Sequence, residues 1–263
     1  MVGYAKTVNG DAKTVFAVVS PPIYTPFIAG GTGLAAHSPG TFRFDGSAPF
    51  NSLPRTDPMP RALVPAHTRI VNRFNKETFV FTDPVESEVL STFDVILEKG
   101  GSGGGNAIAH IHPKAEEYFH VHKGRLMIMI DGVEHFADAG ETVVVPRGKA
   151  HFFRNAGDGE THATVSFTPG QKHLRFFVNL AASTVLTPEN FSPQGDPKLL
   201  AITLKLHAYR DHLYLAGPPI WVQKLMFAAL APIARLMGYR LIVGPNDDLL
   251  GTDTVLKLAT EPR

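Results

Sequence analysis

An all-β core, entered by an extended arm and followed by a helical tail, is the fold class this chain of 263 residues predicts. Three observations carry it. Between Thr68 and Thr168 short apolar runs alternate with turn residues at close spacing, which favours a barrel or sandwich over an α/β fold. Before that, Pro21-Pro22, Gly30-Gly31, Pro39-Gly40, Pro54, Pro58 and Pro60 punctuate the chain and argue against any long helix. Beyond Gly170 the apolar spacing changes to a helical period. The expected organisation is an arm over 1–66, a β-barrel core over 67–182 and a helical extension over 183–263 packed on the barrel.

Within the arm, Thr14 to Val19 reads as a strand and Thr41 to Phe44 as a weaker one. Phe16, Tyr24, Phe27, Phe42, Phe44 and Phe50 give the arm enough aromatic surface to pack on a neighbour. Thr68 to Thr82 alternates around a polar break at Asn75-Lys76 and predicts a β-hairpin; Val89 to Leu97 is a further strand. The glycine run Gly100 to Gly105 lacks the Lys-Ser/Thr of a phosphate-binding loop and leads into a histidine-bearing strand, so it reads as a flexible loop at the barrel mouth. Leu126 to Ile130 and Val133 to Ala137 flank Asp131-Gly132, a hairpin signal. Thr142 to Val145 and His151 to Arg154 flank the turn Pro146-Arg147-Gly148-Lys149, and Thr161 to Thr168 is stopped by Pro169-Gly170.

In the tail, Leu174 to Ala182 and Lys198 to Tyr209 read as helices. Pro219 to Met237 is the most apolar stretch and holds the sole tryptophan, Trp221; Pro232 is expected to kink it, into two short helices folded on the barrel. Lys224 and Arg235 lie about 20° apart in helical projection. A narrow basic stripe on an apolar helix suits burial against the barrel or a partner, and also contact of 219–237 with a membrane surface.

Composition excludes several classes. Apolar residues make up 44% and charged residues 19%, so a sizeable core is available. A net charge of +1 gives no electrostatic reason to expect a nucleic-acid partner. With no cysteine, any metal must be held by nitrogen and oxygen. No convincing signal peptide and no uninterrupted apolar run of about eighteen residues are present, which favours a cytoplasmic location.

The chemistry concentrates between Gly104 and Asn155. His110 and His112, one residue apart on a strand, point to the same face. A carboxylate on the next strand and His151 on a later one would close a pocket around one divalent cation. Strand parity selects the carboxylate: Glu117, Phe119 and Val121 share an apolar face, whereas Glu116, Tyr118, His120 and His122 share a polar one. A ligand inside a core belongs to the apolar parity, which points to Glu117.

Two spaced patterns carry a resemblance. The first reads Gly104, five residues, His110-x-His112, four residues, Glu117, six residues, Gly124. The second reads Gly140, five residues, Pro146-x-Gly148, two residues, His151, three residues, Asn155, and fifteen residues separate the two. Together they resemble both motifs of the cupin superfamily without a departure. The flanks from about Arg69 to Arg240 are similar to a group of single-cupin proteins, through Phe152-Phe153-Arg154-Asn155-Ala156-Gly157-Asp158, Pro169-Gly170 and Leu215-Ala216-Gly217-Pro218-Pro219-Ile220-Trp221-Val222-Gln223. The resemblance implies a single jelly-roll-like antiparallel barrel whose mouth holds a metal on His110, His112, Glu117 and His151. No second copy of either motif occurs.

That ligand set suits Fe, Mn, Ni, Cu, Co or Zn without choosing among them. Four protein ligands leave coordination positions open, as catalysis requires. Phe119, Val121 and Phe153 are the expected walls of an apolar pocket for a hydrophobic, aromatic or polyketide-like small molecule. The favoured reading, by resemblance to quercetin dioxygenase-like cupins, is O₂-dependent oxidation in secondary metabolism, with Glu117 as the one residue able to act catalytically as well as ligate. A Lewis-acid isomerase, cyclase or lyase is the alternative, and a non-catalytic binding module the third. A homodimer is expected, with the arm covering a neighbour's sheet edge.

Overall fold

The computed structural model describes residues 62–102 and 108–247. The arm's two expected strands, most of the arm itself and the glycines from Gly103 to Gly105 lie outside the described residues.

Each strand expected within the described residues is formed. Strands β1 (Thr68–Asn72) and β2 (Glu77–Phe81) make the first hairpin, and β3 (Ser91–Leu97) follows. The histidine strand is short: β4 covers only His110–Ile111. Next come β5 (Glu116–Lys123), β6 (Arg125–Ile130), β7 (Val133–Asp138), β8 (Thr142–Val145), β9 (His151–Asn155) and β10 (Thr161–Thr168). All pairings are antiparallel, and the strands form two sheets. One has the order β1-β2-β3-β10-β5-β8; the other is β4-β9-β6-β7, extended at the β4 edge by a strand from the tail. The inner faces meet in one apolar core, where Phe119 of β5 packs its ring 5.0 Å from that of Phe153 of β9. The described strands are thus two facing sheets rather than one continuously hydrogen-bonded cylinder.

Alternation along the strands explains the layering. In β2, Glu77, Phe79 and Phe81 are buried; in β10, Thr161, Ala163, Val165 and Phe167 are. Phe79, Phe81, Phe167 and Phe177 gather around Phe93, with ring centroids 4.8–6.3 Å from its own. Each buried phenyl contributes roughly 1.5–3 kcal/mol relative to exposure.

The tail is less purely helical than expected. Helices α1 (His173–Leu186), α2 (Leu199–Ala208) and α3 (Ile220–Leu236) form, and between α2 and α3 the two-residue strand β11 (Tyr214–Leu215) pairs with β4. A strand that short leaves no periodicity to read. Its far edge is closed by Gln223, which is buried: Oε1 accepts from Leu215 N–H at 3.0 Å, and Nε2 donates to the carbonyls of Leu215 and Pro218 at 2.8 Å each. The expected break at Pro232 does not occur. Helix α3 runs unbroken through it, and Ala228, whose carbonyl loses its intrahelical donor to the proline, is exposed and open to water. One face of α3 is buried through Gln223, Phe227, Ala231 and Ala234, while Trp221, Leu225 and Leu236 are exposed. The basic stripe is partly engaged, since Lys224 pairs with Asp211 at 2.9 Å.

Two motif residues close the end of the sandwich away from the histidines. Gly124 has φ +79°, and a Cβ there would come within 2.5 Å of Thr161 Oγ1 and 2.7 Å of the Glu160 carbonyl. Asn155 Nδ2 is shared among the carbonyls of Leu97, Glu98 and Gly159 at 2.8–3.0 Å, and its Oδ1 accepts from Gly157 N–H and Thr161 Oγ1–H at 2.8 Å. One side chain thereby ties β3, β9 and β10 together. Asn155→Ala should cost about 2–3 kcal/mol by leaving buried carbonyls unpaired, a fall in Tm of about 5–10 °C. Calorimetry returning a Tm within about 1 °C of wild type would show that Asn155 does not hold this end.

Candidate metal centre

His110 and His151 face each other across the β4–β9 pair, with ring centroids 4.3 Å apart. His112 follows the end of β4 and is buried with them. Glu117 enters from the other sheet, through β5. It has the inward parity, is 2% exposed, and its neighbour Glu116 turns outward to accept a hydrogen bond from Tyr118 at 2.8 Å. The ligating atoms of His110, His112, Glu117 and His151 all lie within 4.8 Å of one another. Donors about 2.1 Å from a common ion stand at most about 4.2 Å apart, so only small inward movements are needed.

The donor chemistry fits a cation. Each imidazole has Nδ1 tied to a backbone carbonyl: His110 to Ile108 at 2.9 Å, His112 to His212 at 2.5 Å, His151 to Lys149 at 3.0 Å. These bonds place the proton on Nδ1 and direct the Nε2 lone pairs inward, as metal-ligating histidines require. His112 Nε2 is buried with no hydrogen-bond partner and lies 3.4 Å from Glu117 Oε2; His151 Nε2 is 2.6 Å from the same oxygen. The surrounding turns hold the rings. Gly148 N–H donates to the His112 carbonyl at 2.9 Å, and Asp131 accepts from Ala150 N–H at 3.0 Å and from Lys149 Nζ at 2.8 Å, which fixes the approach to His151.

Electrostatics favours a charged carboxylate at Glu117. Burial acts to raise the pKa of Glu117, but the charges of His151 and His112 and the hydrogen bond with His151 outweigh it, leaving the carboxyl well below its ordinary range. Burial, reinforced by the neighbouring His151 and His112, holds His110 well below the usual histidine value. For His151 burial acts downward, yet the charge and hydrogen bond of Glu117 raise it overall.

The walls differ from the sequence reading. Through His110 and Glu117 the cluster opens on a cavity that is lined also by Phe153 and several other phenylalanines. Of the expected pocket residues Phe153 lines it, but Phe119 and Val121 do not; both are fully buried in the core. Their parity is inward as read, but the cavity runs along β2 and β3 beneath α1, and β5 meets it only at Glu117, so Phe119 and Val121 fill the core beside it. Phe79, Phe93, Phe176 and Phe177 take their place. The first two were legible as inward residues of predicted strands; the α1 pair carries no sequence signal for where the helix docks. The sequence also gave no sign of His212, whose backbone carbonyl orients His112 from a hundred residues away.

His173 is the fourth buried imidazole here, stacked 4.4 Å from Phe167. Burial first, then the charges of His112 and His212, push its pKa down to about 3. A folded pKa below the ordinary 6.5 means the unfolded chain binds the extra proton, so this contribution is complete above about 6.5 and is lost as pH falls toward 3. His173→Phe, which keeps the stacking, should flatten the acid limb of stability by up to about 1.4 kcal/mol per pH unit. Urea unfolding at a series of pH values reads the slope, and an unaltered slope would mean that His173 is not held neutral.

The family profile for the cupin domain, Cupin_2, matches residues 93–167. Oxalate oxidase 1 of Hordeum vulgare is 42% identical over 72 residues, which is 24% of this chain and 36% of that protein. Polyketide synthase CurC of Streptomyces cyaneus is 35% identical over 60 residues, 23% of this chain and 39% of that protein. The chain therefore spans little more than a third of the length of these relatives. Among solved structures, Streptomyces Pac13 with uridine is 14% identical, covering 41% of this chain and 80% of that one at a TM-score of 0.33, a likeness too distant to bear on chemistry. The paired motifs, the facing sheets that bring their histidines together and the matching profile identify residues 93–167 as a cupin domain within this chain.

Proposed function

We propose that this chain is a metal-dependent cupin enzyme that uses O₂ to oxidise an apolar, aromatic or polyketide-like small molecule. The observation that carries the reading is the convergence of three imidazoles and one buried carboxylate in a cluster whose His110 and Glu117 line a largely apolar cavity. A redox-active divalent transition metal, when bound, supplies electron exchange with O₂ and Lewis-acid charge for a substrate oxygen. His110, His112 and His151 would hold it through Nε2, and Glu117 would complete the set.

The remaining roles belong to the chain. Glu117 is the one carboxyl at the His110 end of the cavity, and its position beside His151 makes it the group able to accept a hydrogen bond, and in turn the proton, of an enolic or phenolic hydroxyl brought there. Phe153, Phe176 and Phe177 exclude water and orient a flat apolar body. Similarity to an oxalate oxidase supports oxidative chemistry, and similarity to CurC supports a polyketide-like substrate; both cover a minority of either chain and act only as support.

Purified protein should carry close to one transition metal per chain, and His110→Ala or His151→Ala should remove most of it. Full occupancy by elemental analysis in His151→Ala would defeat the assignment. Glu117→Gln should lower metal affinity by about 10–100-fold, whereas Glu116→Gln should leave it nearly unchanged.

The reaction class is tested by loading the protein anaerobically with Fe, Mn, Ni, Cu, Co or Zn and measuring O₂ uptake with phenolic and enolic substrates. Uptake that depends on a redox-active metal and on Glu117 is the expected result. Turnover without O₂, or with Zn alone, would replace this reading by Lewis-acid isomerisation or cyclisation. Binding without turnover under every metal would replace it by a binding module.

A further inference from the structure

The cavity has a second polar end. Beyond its phenyl walls stand Asn72 and Glu77, direct cross-strand partners at the tip of the β1–β2 hairpin. Both have inward parity and are 4% and 1% exposed. The other inward residues of this hairpin, Ile70, Phe79 and Phe81, are apolar, so the hairpin does not need polar groups there to fold. Glu77 Oε2 accepts a hydrogen bond from the buried Ser102 Oγ–H at 3.4 Å. Asn72 Oδ1 is buried, and among the described residues it has no hydrogen-bond partner. A buried acceptor left unpaired is destabilising, and a ligand that brings a donor relieves it.

The two ends are far apart. Glu117 is paired through Phe167 to Ser91 of β3, whereas Glu77 is paired to Leu97 of the same strand. The intervening stretch of β3 spans about 20 Å. We infer that Asn72 and Glu77 form a recognition subsite for a hydrogen-bond donor, a hydroxyl or ammonium, at the far tip of an elongated apolar substrate whose other end reaches His110 and Glu117. The substrate class is then a long apolar body with a polar group at each end. This inference rests on the reading of the histidine end as the reactive end.

The test measures binding to the full-length, metal-loaded protein. The probes are linear molecules with a phenyl hydroxyketone head and alkyl tails of increasing length, each made with a hydroxyl or a methyl terminus. At one tail length the hydroxyl-terminated member should bind about tenfold more tightly than its methyl partner. Asn72→Leu should bring that ratio to near one, and Asn72→Asp, which keeps the acceptor, should retain it. Glu77→Gln, of nearly unchanged volume, should lower the ratio about threefold and serves if Asn72→Leu fails to fold. A ratio near one at every length in the wild type, as a trapped water at this end would give, overturns the subsite, as does an unchanged ratio in folded Asn72→Leu. His151→Ala should weaken both members of each pair equally. If it weakens neither while the ratio persists, the reactive-end reading fails and the subsite stands.

Discussion

Three hydrogen bonds from imidazole Nδ1 to backbone carbonyls govern the rest of this molecule. They fix the tautomer and turn three Nε2 lone pairs toward one buried carboxylate. Burying a carboxylate costs several kcal/mol unless positive charge or hydrogen bonds offset it, so Glu117 is tolerable only while the imidazoles, or a cation they hold, face it. Two of the three anchors are local, from Ile108 and Lys149. The third is the carbonyl of His212, between α2 and β11. The tail is therefore part of the centre: β11 pairs with the strand that bears His110, and Gln223 closes the outer edge of β11.

Most of the sheet framework and all four ligands were legible in the sequence, because both depend on a period of two. Alternation delimits β2, β3 and β10, and the same parity separates Glu117, which is buried, from Glu116, which is bonded to Tyr118 at the surface. What parity does not give is which strands border the cavity. Phe119 and Val121 share the face of Glu117 but fill the core beside the cavity, since a face says nothing of where across the sheet the space lies. Contacts between distant segments were equally hidden. No local pattern marks Tyr214–Leu215 as a strand or His212 as an anchor, and Pro232 is harmless only because the face of α3 that loses its hydrogen bond is exposed to water.

Metal site and cavity are consequently specified by different parts of the chain. Of the four candidate ligands, His110, Glu117 and His151 lie on strands whose geometry is set by the sheets, and His112 directly follows β4. The phenyl walls come partly from the sheets, through Phe79, Phe93 and Phe153, and partly from α1, through Phe176 and Phe177. The helix is held from outside the strands: Arg175 is bonded bidentately to Glu86 at 2.6 and 2.9 Å and to the Gly244 carbonyl at 2.9 Å, and Asn179 donates to the Val243 carbonyl. Substitutions at Phe176 or Phe177 can thus reshape what the cavity admits without moving a ligand. The converse also holds. A change at the ligands alters chemistry while the apolar body is bound by the same walls. Similarity confined to the motif-bearing strands therefore reports on the ligand set and says little about the substrate, whose outline is drawn largely by a helix and a hairpin tip.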